Sequence, residues 1–169
     1  MLEGVVPIFH QWIQDKSIAN HQLIDVADYR HVVGGPGVML IAHEGNFSLD
    51  RDEAAGLYYY RKQRAPGDLH AQILTAIRTA LTAAQMLELH VDLMGKARFR
   101  TDKIIFRAND QLTAPPSPAT YQDAIEVLKK ACPLFSVARF ESAPAGEPVA
   151  VSILLPGGQN VRQLHAQLG

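Results

Sequence analysis

Three ionisable residues in the first third of the chain have the types that acid–base chemistry requires. Asp28, Arg30 and His43 lie on the two sides of a Gly-Gly-Pro-Gly stretch at residues 34–37. If the flanking segments form a hairpin, the three side chains share one largely apolar face, where burial and mutual charge shift pKa values. Asp28 would then orient His43 as a general base, and Arg30 would anchor an anionic substrate. One hypothesis is therefore a small-molecule enzyme with Asp28 and His43 as its acid–base pair.

The hairpin is predicted from the strand-forming residues on each side of the glycines. Pro36 and Gly37 fit the central positions of a type II turn, because proline presets φ and glycine accepts a positive φ. This turn pairs Arg30 with His43, a register that is favoured because it separates an apolar face from a polar one. The predicted apolar face contains Ile24, Val26, Val32, Met39, Ile41, Phe47 and Leu49.

Metal and cofactor chemistry have weaker support. The acceptable metal ligands in this region are His31, His43, Glu44, Asp50 and Asp52. None of the His-rich metal motifs occurs, and His43 and Glu44 point to opposite faces if both lie on one strand. The glycines at 34–37 do not match a dinucleotide-binding fingerprint. We therefore predict no metal site and no cofactor.

A second glycine turn lies near the C-terminus. Gly157 and Gly158 stand between a predicted strand and a short helix, and Arg162 follows close by. The free N–H groups at a helix start bind anions, so these three residues are a candidate ligand or anion site. The alternative is that the two glycines only form the turn.

Aromatic and basic residues are interleaved in the segment YYYRKQR, residues 58–64. Tyrosine rings stack on bases and basic groups bind phosphates, so this segment suggests single-stranded nucleic-acid binding. The hypothesis is strongest if a second basic segment, at 98–107, forms the neighbouring strand. The alternative is an edge strand that its charges protect from aggregation. The chain has 16 basic and 17 acidic residues, a net charge of −1 that argues against a nucleic-acid partner.

A surplus of apolar and aromatic residues favours an interface with another protein. Residues 5–16 form a predicted amphipathic helix in which Phe9 and Trp12 recur at helical spacing. They either pack on the core of the chain or contact a second subunit. Tyr58 and Tyr60 are the other candidate interface residues. With no catalytic signature, the leading hypothesis is a small soluble binding or assembly protein that acts as a homodimer or an accessory subunit.

The chain as a whole predicts one α+β domain. Its 169 residues suffice for a single core. We expect a mainly antiparallel sheet of about five or six strands, with two long helices packed on one face and short terminal helices. The expected segments are an N-terminal helical arm at 1–20, a hairpin or meander at 23–64, a long helix at 68–90, a strand–helix–strand–strand unit at 97–155 and a C-terminal helix at 159–169. Leu57–Gln63 is predicted as a strand, with a helical turn as the alternative.

The expected location is the cytoplasm, with no membrane partner. Cys132 is the only cysteine, so no intrachain disulfide forms. Glu3, Pro7 and His10 interrupt the N-terminal apolar run, which is therefore unlike a signal peptide. No stretch approaches the roughly 18 apolar residues of a membrane span.

Overall fold

The structure, a computed structural model, describes residues 4–50, 56–109, 112, 114–142 and 148–168. In these residues seven strands and four α-helices form an α+β fold with antiparallel sheets, which confirms the predicted class. The strands lie in two sheets and not in the single sheet expected, because β-strand pairing is set by contacts between distant segments. The chain divides into two compact units, unit 1 with residues 1–65 and 76–99, and unit 2 with residues 66–75 and 100–169.

Unit 1 contains a four-stranded antiparallel meander. Its elements are α1 (Val5–Asp15), β1 (Leu23–Asp28), β2 (Val38–Ala42), β3 (Gly45–Leu49), β4 (Leu57–Arg61) and the part of α2 (Leu69–Leu89) from residue 76 onward. The strand order is β1-β2-β3-β4. The aromatic segment at β4 is a strand, as predicted, since aromatic side chains fit a half-buried pleated surface.

One face of this sheet and two helices enclose the core of unit 1. The buried cluster combines α1 (Val5, Ile8, Phe9, Trp12), the sheet (Val38, Leu40, Phe47, Leu49) and the end of α2 with the following turn (Ala83, Leu87, Leu93, Ala97). Phe9 is 0% and Trp12 4% exposed. Of the two alternatives for these residues, both side chains therefore pack on the core of the chain, and neither is available to a partner.

Unit 2 contains a three-stranded antiparallel sheet, two α-helices and a 3-10 helix, together with the start of α2 up to residue 75. Its elements are β5 (Lys103–Arg107), α3 (Pro118–Ala131), a 3-10 helix (Pro133–Val137), β6 (Arg139–Ser142), β7 (Ala150–Leu154) and α4 (Val161–Gln167), and the strand order is β5-β7-β6. α3 begins as predicted, with the Ser117 hydroxyl accepting a 3.2 Å hydrogen bond from the Thr120 N–H. Pro118 occupies its first turn, where the absent N–H costs nothing.

The β1–β2 hairpin differs from the predicted one in register. Asp28 pairs with Val38 and Val26 with Leu40, so residues 29–37 form a loop, which a 2.7 Å bond from the Tyr29 N–H to the Gly37 carbonyl closes. The predicted pairing of Arg30 with His43 is wrong. It follows that Met39 and Ile41 lie on the face opposite the core, not on the core face.

Gly37 explains this difference. Its φ is +69°, and a Cβ at this position would lie 2.0 Å from the carbonyl oxygen of Leu49. The glycine therefore permits a close approach between the end of the loop and β3. It is not one of the two central residues of a tight hairpin turn, which was its predicted role.

Candidate functional site: the outer edge of the first sheet

The structure brings Asp28 and Arg30 together but leaves His43 apart. The Arg30 Nε donates a 2.8 Å hydrogen bond to Asp28 Oδ1, and the Arg30 backbone N–H donates to the same oxygen at 3.1 Å. His43 lies exposed in the turn between β2 and β3. The strand partner of Asp28 is Val38, and His43 follows Val38 by five residues, a distance of roughly 17 Å along a strand. The predicted acid–base pair is therefore not formed.

The Asp28–Arg30 pair predicts a specific pH dependence of stability. The pKa of Asp28 falls from 3.8 to about 2, chiefly because the Arg30 side chain donates to the carboxylate. Since this pKa is lower in the folded chain, the pair stabilises the fold above about pH 4, and its contribution is lost as the pH falls toward about 2. We expect the free energy of unfolding, measured by urea titration, to fall more over this interval in the wild type than in Asp28→Asn. Equal falls would show that the pair does not contribute.

The glycine turn before α4 is explained by helix capping. Gly158 has a φ of +106°, which favours glycine. The Asn160 side chain accepts a 2.9 Å bond from the Gln163 N–H, and the Gln163 side chain accepts one of 2.9 Å from the Asn160 N–H. Residues of the chain itself thus occupy the start of this seven-residue helix. The geometry of Gly157, Gly158 and the exposed Arg162 adds no support to an anion site.

Metal ligation also lacks a geometric basis in the described part of the chain. Asp52 lies outside the described residues. Among the described His, Cys, Asp and Glu side chains, no three come close enough to hold a metal ion. Nor is any described helix long and apolar enough to cross a membrane.

A groove in unit 2 offers a packing surface but little chemistry. It has a volume of about 390 Å³ and is lined by Pro116, Ser117, Pro118, Tyr121, Gln122, Ile125 and Ser142. Tyr121 is the only titratable group among these residues. The lining therefore contains no carboxylate, imidazole or amine that could act as a general base near neutral pH.

The most distinctive surface is the outer edge of β4, where no strand of the described residues pairs with the backbone groups. The Lys62 N–H donates to the Glu44 carbonyl at 2.9 Å, and the Asp50 N–H donates to the Gly56 carbonyl at 3.3 Å. Because antiparallel hydrogen bonds alternate along a strand, the even-numbered residues from 56 to 62 direct their backbone groups toward β3. The N–H and C=O groups of Leu57, Tyr59 and Arg61 consequently point outward. No described strand pairs with this edge.

The opposite edge of the same sheet is protected from pairing. β1 has an irregularity in its register between Leu23 and Asp25. The Val26 N–H, which faces outward, donates a 2.8 Å hydrogen bond to the carboxylate of Asp25. Asp28 adds a second charge at the end of the strand. Bulges and charged side chains are the devices by which proteins prevent edge strands from pairing.

The two edges of the second sheet are charged as well. β5 has exposed Lys103 and Arg107 at its two ends. β6 is four residues long and contains the ion pair of Arg139 with Glu141 at 3.4 Å. β4, by contrast, is uncharged from residue 57 to residue 60. Of the four described sheet edges, that of β4 is the one best suited to pairing with another strand.

A network of side chains holds β4 in place. His21 Nδ1 donates to the Ala19 carbonyl at 3.0 Å, since a carbonyl can only accept. In a neutral imidazole the other ring nitrogen is then an acceptor, so the Tyr59 hydroxyl donates to His21 Nε2 at 2.7 Å. The Tyr59 ring packs on Phe47 with centroids 4.8 Å apart. A Cβ at Gly45 would lie 2.8 Å from that ring, so glycine is required beneath it. Burial raises the pKa of Tyr59, which therefore stays a neutral donor.

Tyr58 and Tyr60 project from the face of β4 opposite the core. Tyr60 is 47% exposed. Tyr58 and Tyr60 alternate along β4 with Leu57 and Tyr59, whose side chains face the core. Of the four residues predicted at an interface, these two remain near the surface. His21 and the outward backbone groups were not identified from the sequence. The sequence shows that successive residues of β4 alternate between the two faces. Which of them direct their backbone groups toward β3 depends on the register with that strand.

The second basic segment is not the strand that pairs with β4. Lys103–Arg107 forms β5, which pairs with β7 in the other sheet, so the condition that would have strengthened the nucleic-acid hypothesis is not met. Comparison of the chain with protein-family models, with curated proteins and with solved structures gave no match. The geometry of the chain itself is therefore the basis for a functional assignment.

Proposed function

We propose that this chain is an interaction protein that binds an extended segment of a partner along the outer edge of β4. The observation that supports the proposal is the row of outward N–H and C=O groups at Leu57, Tyr59 and Arg61, on a regular strand that is uncharged from residue 57 to residue 60. When a peptide adds to a sheet edge, main-chain hydrogen bonds provide the affinity and alternate side chains provide the specificity.

The side chains around β4 define which segments it would prefer. Tyr58 and Tyr60 provide an aromatic surface on the face opposite the core, where they would contact alternate side chains of the added strand. Arg61, Lys62 and Arg64 follow at one end, and the last two are exposed. An acidic residue near that end of the added strand would thus be favoured. We place this activity in the cytoplasm, a reducing compartment that suits the single, unpaired and buried Cys132.

The enzyme alternative is less well supported. Its acid and base lie at opposite ends of the sheet, and the described groove contains no acid–base group that functions near neutral pH. The nucleic-acid alternative loses the second basic strand on which it depended. At the edge of β4, in contrast, no described strand pairs with the outward backbone groups.

A titration with a short acidic peptide tests this function. The probe is a nine-residue capped peptide that alternates valine or threonine with glutamate, added to dilute, isotopically labelled protein. We expect the amide resonances of Leu57, Tyr59 and Arg61 to shift more than those of Tyr58, Tyr60 and Lys62. The same peptide with proline at its central position should bind less well, because it lacks one backbone donor.

Two variants of one residue provide the matched control. Arg61→Pro removes an outward N–H and should abolish peptide binding, whereas Arg61→Ala keeps that N–H and should still bind, with lower affinity because a charge is lost. Binding that survives Arg61→Pro, or amide shifts that are absent at the highest soluble peptide concentration, would contradict the proposal.

A further inference from the structure

We infer that the strand bound at this edge is β4 of a second copy of the chain, so that two copies join in a two-fold symmetric dimer with one continuous sheet. This inference rests on the proposed function and adds the identity of the occupant. It depends on the backbone pattern of β4 and on the order of its side chains, both of which suit an antiparallel copy of the same strand.

The backbone pattern is self-complementary in one register. If Tyr59 of one copy lies opposite Tyr59 of the other, Leu57 lies opposite Arg61, and Arg61 opposite Leu57. These are the three residues whose N–H and C=O groups point outward, so each outward group meets an outward group of the second copy. Shifting the centre of symmetry to residue 58 or 60 leaves one of the three residues of each copy opposite a residue outside β4. The register centred on Tyr59 is therefore the one that uses the whole edge.

The side chains also favour this register. Tyr58 of each copy lies opposite Tyr60 of the other, and such directly opposed aromatic pairs stabilise sheets. Both tyrosines lie on the face opposite the core, where Tyr60 is 47% exposed. Lys62 lies opposite Gly56, which has no side chain to obstruct it. The aromatic surface of one copy is thus covered by that of the other.

The distribution of charge allows two copies to meet along this edge. The two Arg61 residues lie four positions apart along the joined strands, which is roughly 14 Å and longer than the Debye length in physiological salt. No acidic or basic residue of β4 lies opposite a like charge. An acidic segment of another protein is the competing occupant, and it would satisfy the basic end of β4 but would not supply the two tyrosine pairs.

Sedimentation velocity over a range of concentrations tests whether the dimer forms. Because the joined edge is short, we expect a weak monomer–dimer equilibrium, with a dissociation constant on the order of 100 μM. Arg61→Pro should remain monomeric at every concentration, and Arg61→Ala should still dimerise. A wild-type protein that stays monomeric at millimolar concentration would overturn the inference, as would an Arg61→Pro variant that dimerises like the wild type.

Disulfide formation between two different variants tests the register. Residues 58 and 60 of opposite copies form a non-hydrogen-bonded pair, with Cα atoms about 4.5 Å apart, within the reach of a disulfide. Two copies of residue 58 are roughly 8 Å apart, beyond that reach. A mixture of Tyr58→Cys and Tyr60→Cys should therefore give at least about tenfold more oxidised dimer than either variant alone. Equal yields from the mixture and from the single variants would overturn this register.

The outcomes separate this inference from the function on which it rests. If the wild type stays monomeric while the acidic peptide still shifts the outward amides of β4, a second copy is not the occupant and the edge remains a binding site for another protein. If neither the dimer nor the peptide complex forms, both proposals fail. A dimer that the acidic peptide dissociates would support both, because the two strands would compete for one edge.

Discussion

The Gly37→Ala variant is expected to lose about 3 kcal/mol or more of the free energy of unfolding. Two effects add at this position. The φ of +69° is unfavourable for any residue with a Cβ, and the added methyl group would lie 2.0 Å from the carbonyl oxygen of Leu49. Because that oxygen belongs to the backbone of β3, it moves only if the strand moves, and the core residue Leu49 moves with it. Urea unfolding monitored by tryptophan fluorescence measures the loss, since Trp12 lies in the same core.

Gly34 provides a matched control for the same substitution. Its φ of +70° is nearly identical to that of Gly37, but a Cβ there would have no neighbour within 4 Å. Gly34→Ala should therefore cost only the conformational term, about 1 kcal/mol. The difference between the two variants isolates the close approach to β3. If the two substitutions destabilise the chain equally, Gly37 is needed for its backbone conformation alone, and its close approach to β3 does not set the hairpin register.

Proline substitutions along β4 should have effects that alternate from one residue to the next. The N–H of Tyr60 points toward Asn46 of β3, so Tyr60→Pro removes a bond of the ladder and leaves a carbonyl of β3 unpaired. We expect a loss of about 3 kcal/mol or more relative to the wild type, in a range reached by few single substitutions. The N–H of Arg61 points outward and has no partner among the residues that the structure describes. Arg61→Pro should therefore cost about 1 kcal/mol or less relative to Arg61→Ala.

Alanine variants at both positions separate the effect of the N–H from that of the side chain. Tyr60→Ala measures the loss of the tyrosine ring, and Arg61→Ala measures the loss of the guanidinium, which donates a 2.6 Å bond to the Gln63 carbonyl. The quantity compared is the additional cost of proline over alanine at each position, from denaturant unfolding of dilute protein. A larger additional cost at residue 61 than at residue 60 would mean that the Arg61 N–H, and not the Tyr60 N–H, is bonded to β3, which would contradict the assignment of the outer edge.

Local features of this fold could be predicted from the sequence, because their causes lie within a few residues. Ser117 and Pro118 mark the start of α3 through capping and a fixed φ, and both effects act inside one helical turn. The aromatic segment at 57–61 favours a strand by composition alone. The predicted α+β class follows from such elements taken together.

Features that depend on distant residues could not be predicted in this way. The role of Gly37 depends on Leu49 of β3, and a glycine beside a proline is also the pattern of a two-residue turn. The position of Tyr59 depends on His21, and no motif links two residues so far apart in the chain. Which backbone groups of β4 point outward depends on the register with β3, which composition does not determine. For these reasons Tyr58 and Tyr60 were identified but the edge beside them was not.

Residue-resolved amide hydrogen exchange in β4 tests the proposed binding edge most directly. In dilute protein the amides of Tyr58, Tyr60 and Lys62 should exchange slowly, because the first two donate to β3 and the third donates to Glu44. The amides of Leu57, Tyr59 and Arg61 should exchange quickly, because they have no acceptor among the described residues. At high concentration, or with the acidic peptide, the second group should become protected while the first is unchanged. Slow exchange at Leu57, Tyr59 and Arg61 in dilute protein without peptide would show that the chain itself covers this edge, and would contradict its role in binding.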